Sequence, residues 1–111
     1  MRRKDIRKWL KQYTEDCIYY SKHVKDDKFE AGKVSEVDVR KNLLNPINLL
    51  RYEEQESLNS NEFKYKLHFR LSSSKDLGII VLINKKIKVI TAYEIERKWQ
   101  EKIMVIKWTG K

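Results

Sequence analysis

The chain has 111 residues and a mass of 13.5 kDa, which gives room for one domain and one hydrophobic core and excludes a multidomain enzyme. Lys and Arg number 25 against 16 Asp and Glu, a net charge of +9, so an anionic partner is expected, nucleic acid before an anionic membrane surface. A hydrophobic content of 41% can fill a core beside 37% charged residues, which argues against wholesale disorder, and the lone Cys17 excludes an internal disulfide or a thiolate zinc cluster and fits the reducing cytoplasm.

The sequence begins Met1-Arg2-Arg3-Lys4-Asp5, without the apolar stretch of a secretory signal, and the apolar run Leu77 to Ile83 is far too short to cross a bilayer. Few Gly and Pro among many Lys, Glu and Ile are compatible with a thermophilic source. Ile6, Trp9, Leu10 and Tyr13 recur at helical spacing and predict a helix over 3–15, with Arg3, Arg7 and Lys11 among the basic residues around it. Cys17-Ile18-Tyr19-Tyr20 reads as a short strand. Ser21 then caps a helix from Lys22 to Gly32, and Ser35 opens another over 35–44, with Val37, Val39, Leu43 and Leu44 as its apolar stripe and Asn45-Pro46 as its stop.

The second half changes period. Leu49 to Tyr52 reads as a strand, Glu53 to Glu62 as a polar loop, and Phe63 to Leu71 alternates, with Phe63, Tyr65, Leu67, Phe69 and Leu71 on one side and Lys64, Lys66, His68 and Arg70 on the other. Leu77 to Ile83 predicts a strand buried on both faces, and Ile87 to Tyr93 the last strand of a four-stranded antiparallel meander. Glu94 to Glu101 has helical composition, and 103–108 suits a strand or a continued helix. The fold expected is α+β: N-terminal helices on one face of a twisted, mainly antiparallel sheet of four or five strands, a single domain with 1–16 as a basic helical addition to a core over 17–102.

Three groups could carry chemistry. Lys64, Lys66, His68 and Arg70 are spaced about 7 Å apart along one strand face, where cations can meet phosphates and a His can exchange protons; an outer sheet face dressed in Lys and Arg purely for solvation is the equally weighted alternative. His23 stands at a helix start, whose dipole keeps an imidazole neutral and basic, or it is an ordinary surface residue. Thr91, Tyr93 and Arg97 could hold a phosphate; otherwise Tyr93 packs in the core and Arg97 pairs with Glu94 or Glu101. Gly-rich phosphate loops, His-x-x-x-His pairs and Gly-x-Ser-x-Gly elbows are missing, and Asp26, Asp27 or Glu53, Glu54 and Glu56 read as solvated carboxylates, so no cofactor or metal is expected.

Ser21-x-His23 after a short strand, a helix ending near Gly32, Val34-Ser35 with Val37 and Val39 in a second helix, Asn45-Pro46, and the ending Val89-Ile90-Thr91-Ala92-Tyr93 together resemble the RelE and barnase-like ribonuclease toxin superfamily, in the branch with an early Ser-x-His. The resemblance covers residues 17–100. It implies an RNA site on the open face of the sheet, metal-independent cleavage by attack of the ribose 2′-hydroxyl, and an acidic antitoxin as protein partner. His23 and the Thr91-x-Tyr93 pair match that branch's motifs, whereas His68, Arg70 and Arg97 come from sheet geometry alone. Where the branch commonly has Arg-Gly-Ile between its helices, this chain reads Ala31-Gly32-Lys33-Val34. The functional expectation is an endoribonuclease-like domain using His23, His68, Arg70, Tyr93 and Arg97. Its rival is a non-catalytic module gripping RNA or DNA backbone through Arg3, Arg7, Lys11, Lys64 and Lys66.

Overall fold

The structure, a computed structural model, describes residues 6–57 and 61–96. Among the described residues helix α1 is Ile6–Lys11, so it ends before the expected residue 15, and the expected residues 3–5 lie outside the described residues. Ile6 and Leu10, four residues apart on one face, are buried, while Gln12 N–H and Tyr13 N–H bond the carbonyls of Trp9 and Leu10 and close the helix in a tighter turn. A 3-10 turn over Glu15–Cys17 leads into β1, Ile18–Tyr20.

Ser21 makes the change from strand to helix. Its backbone is extended and its hydroxyl accepts from Val24 N–H, so α2 begins at Lys22 (Lys22–Val24) and continues as a π-helical turn over Lys25–Phe29. Gly32, at φ +72°, takes the left-handed conformation that ends such a segment, at the expected place. Ser35 caps α3, Glu36–Leu44, by accepting from Asp38 N–H, and Val39 and Leu43 are buried. Val37, expected in the apolar stripe, is 51% exposed; half-turn spacing from Val39 puts it on the solvent side.

The remainder is a meander of β2, Leu49–Gln55, β3, Phe63–Arg70, β4, Lys75–Ile83, and β5, Ile87–Glu96. β1 joins it in parallel beside β5, so the sheet order is β1-β5-β4-β3-β2 and the sheet is mixed. The α+β architecture is the one expected. Tyr65, Leu67 and Phe69 of β3 and Leu77, Ile79, Val81 and Ile83 of β4 form one buried face, and Ile6, Leu10, Val24, Val39 and Leu43 of the helices belong to the same core. α1 is therefore packed into the domain.

Three local expectations are corrected. Glu53 to Gln55 extend β2 and pair with Lys64 to Lys66, so the polar loop starts later. Glu94 to Glu96 extend β5 along Lys75 to Leu77, because pairing partners outweigh a helix-like composition. Ile80 and Leu82 are half-buried, since among the described residues helices cover β4 on one face only. Among the described residues no helix is long and apolar enough to cross a membrane.

Candidate functional site

The face of the sheet away from the core is organised in rows, because residues in register across antiparallel strands project to the same side. One row is Arg51, His68, Gly78 and Tyr93; the next is Glu53, Lys66, Ile80 and Thr91. Strand spacing near 4.8 Å brings the side chains of neighbouring members into contact.

Two β-bulges determine what these rows contain. In β2 the register shifts between Leu49 and Arg51, so Leu49 is buried while Arg51 turns to the open face; strict alternation would place both on one side. In β5 Ile90 is the extra residue, and it separates buried Val89 from outward Thr91 and Tyr93, which would otherwise share its face. A bulge leaves backbone groups without ladder partners. Here a side chain serves each: the Ser21 hydroxyl donates to the Ile90 carbonyl at 2.7 Å, and the Arg7 guanidinium donates to the Leu49 carbonyl.

At the centre of the first row, His68 Nε2 lies 2.8 Å from Asp76 Oδ2, and Nδ1 lies 3.4 Å from an Arg51 guanidinium nitrogen. A carboxylate only accepts and a guanidinium only donates, so the neutral ring carries its proton on Nε2 and turns the Nδ1 lone pair toward Arg51. His68 was expected to be exposed with its Lys and Arg neighbours; it is 6% exposed and Asp76 is 2% exposed, because the pair packs diagonally across β3 and β4. Gly78, opposite His68, has no side chain, and Tyr93 fills that place with its ring across the glycine. Lys66 Nζ approaches the same ring at 5.9 Å.

Arg51, Tyr52, Glu53, Lys66, His68, Tyr93 and Ile95 line a cleft of about 350 Å³. By register the open face carries Arg51, Lys64, Lys66, Arg70 and Lys88 against Glu53 and the His68-bound Asp76, so its field is positive. It combines cations, an imidazole with an oriented lone pair, and a phenol. No family model, no curated protein and no solved structure matches the chain.

The structure therefore gathers His68, Lys66 and Tyr93 in one cleft. His23 stands apart at the edge of the sheet: Nδ1 bonds Asp27 Oδ2 at 2.9 Å, and Nε2 meets Thr91 Oγ1 at 3.2 Å. Arg70 follows His68 on β3 but lines a different depression with Lys41, Asn42 and Asn48. Lys64 is half-buried farther along β3. Arg7 is engaged at the β2 bulge, and Lys11 is exposed in the helix layer. Arg3 and Arg97, and the segment 103–108, lie outside the described residues. Sequence reading missed Arg51 and Asp76, both of which enter through pairing. Only the single Asp at the start of an apolar run could have drawn attention to Asp76. Among the described residues, no three His, Cys, Asp or Glu side chains gather as a metal site.

Proposed function

We propose that the open face of the sheet binds RNA and cleaves it by attack of a ribose 2′-hydroxyl, with the His68 cleft as the reacting centre. The observation that carries this reading is the row Arg51, His68, Gly78, Tyr93, in which a buried carboxylate orients an imidazole beside a guanidinium on a positive surface. His68 Nδ1 takes the 2′-hydroxyl proton, and Asp76 stabilises the imidazolium that results. The freed oxygen attacks phosphorus, the bond to the 5′-oxygen breaks, and a 2′,3′-cyclic phosphate and a 5′-hydroxyl are the products. Arg51 leaves its long contact with Nδ1 to hold the non-bridging phosphate oxygens, Lys66 adds charge, and Tyr93 donates its proton toward the leaving oxygen. Such chemistry needs no cofactor, and the lone cysteine suits work in the cytoplasm.

One observation favours binding without cleavage: His68 is nearly buried, with both ring nitrogens engaged. The test is incubation of the purified chain with end-labelled RNA and matching DNA, with and without EDTA, beside His68→Ala, Arg51→Ala and Tyr93→Phe. Cleavage of RNA alone, leaving cyclic phosphate ends and falling about 10²–10⁴-fold in His68→Ala, supports the reaction. Binding of both nucleic acids without cleavage, with a salt dependence that shallows as Arg51 or Lys66 is removed, replaces it with the binding reading.

A further inference from the structure

We infer that the chain forms a symmetric dimer by pairing β2 with β2 of a second copy, antiparallel and centred on Tyr52. β2 is a seven-residue edge strand, and no described strand pairs along its outer side. Such an edge presents unpaired N–H and C=O groups and accepts another strand unless something blocks it. Exposed Ile47, at 74%, and Leu50, at 48%, stand at its start and add apolar surface for a partner to cover.

Charge selects both the occupant and the register. In a symmetric antiparallel pair a residue and its partner have numbers of constant sum, and hydrogen bonding requires that sum to be even, because only alternate residues turn their backbone groups outward. Centring on Arg51 would place Arg51 against Arg51, and centring on Glu53 would place Glu53 against Glu53. Centring on Tyr52 places Arg51 against Glu53 of the second copy, and by symmetry twice. The pairs from Arg51 to Glu53 lie on the regular part of both strands, beyond the bulge at Leu50. Both residues are exposed and face the open side, so opposite charges meet at the cross-strand distance. Glu54 of the second copy arrives opposite Leu50, at the depression that Arg7 lines.

Counting the described strands, the dimer is one ten-stranded sheet. Across its twofold axis, the row Tyr93, Gly78, His68, Arg51 continues into Glu53, Lys66, Ile80 and Thr91 of the second copy, making a single positive surface of double width. The dimer stands independently of catalysis, and its test reads mass alone.

Sedimentation equilibrium of the full chain, freed of nucleic acid, is run from micromolar to submillimolar concentration for wild type, Arg51→Glu, Glu53→Arg and the double swap Arg51→Glu/Glu53→Arg, with circular dichroism confirming each fold. The expected result is a wild-type dimer, a dissociation constant raised about tenfold or more in each single variant, and recovery in the double swap. A wild type that stays monomeric overturns the inference. So do single variants that dimerise as wild type does, or a double swap no tighter than the single variants.

Discussion

The ring of Tyr93 crosses Gly78 so closely that a Cβ at position 78 would lie 2.3 Å from the ring carbon Cζ. The contact ties the two strands that flank β4 to one glycine, since His68 of β3 sits opposite Gly78 on the other side. Gly78→Ala forces the ring off the sheet, away from Lys66. We expect a loss of about 1–3 kcal/mol in urea unfolding, as for overpacking, and RNA binding reduced as far as in Tyr93→Ala. Unchanged stability and binding would mean that the ring moves freely and holds nothing in place.

Asp76 has a different kind of role, orienting His68 from the neighbouring strand. Asp76→Ala leaves the buried Nε2–H of His68 without this acceptor, at a cost of about 1–3 kcal/mol. Asp76→Asn retains an oxygen acceptor and loses the charge. It should unfold nearer to wild type yet cleave RNA about 10²–10⁴-fold more slowly, because a neutral amide does not stabilise the imidazolium. Equal cleavage by Asp76→Asn and wild type would remove His68 as the base, whatever the stability of either protein.

The sequence carried the alternation of β3 from Phe63 to Arg70, the Ser21 and Ser35 caps and the left-handed Gly32, because each of these is a local pattern with a local cause. The candidate site was only partly legible, and the reason is the pair of bulges. Thr91 and Tyr93 were readable as sharing a face, but which face depended on Ile90 being the extra residue, and nothing in Val89-Ile90-Thr91 announces that. Arg51 likewise sat next to Leu50 without any sign that the chain would turn it toward His68. Asp76 became a partner only through the register in which β4 pairs with β3. Bulges are settled by tertiary fit, so the residues they aim escape a reading by period.

Ser21 connects these points, because one hydroxyl caps α2 and serves the bulge. It accepts from Val24 N–H at 3.1 Å and donates to the Ile90 carbonyl at 2.7 Å. Ser21→Ala removes both bonds, and the cap alone typically costs about 1 kcal/mol. The expected loss of about 1–2 kcal/mol in unfolding should come with a local change: amide exchange at Ile90 to Ala92 faster than in wild type, while β3 amides are unchanged. Uniform acceleration over the whole sheet would show a general loss of stability with no special hold on the bulge.

Tyr65 gives the fold a pH dependence of defined sign. Its hydroxyl donates to Glu54 Oε1 at 3.1 Å, and burial first, then the Glu54 carboxylate, push its pKa from 10.0 up to about 12. The folded state thus favours the neutral phenol, whereas the unfolded chain ionises near 10. The stabilisation linked to Tyr65 is whole below pH 10 and is lost as pH rises from 10 to about 12. Tyr65→Phe cannot ionise, and at neutral pH it loses a hydrogen bond worth about 0.5–1.5 kcal/mol. Urea midpoints should therefore start lower for the variant at neutral pH and converge on wild type across the alkaline window. Parallel curves for the two proteins would mean that the phenol ionises as readily in the folded chain as in the unfolded one.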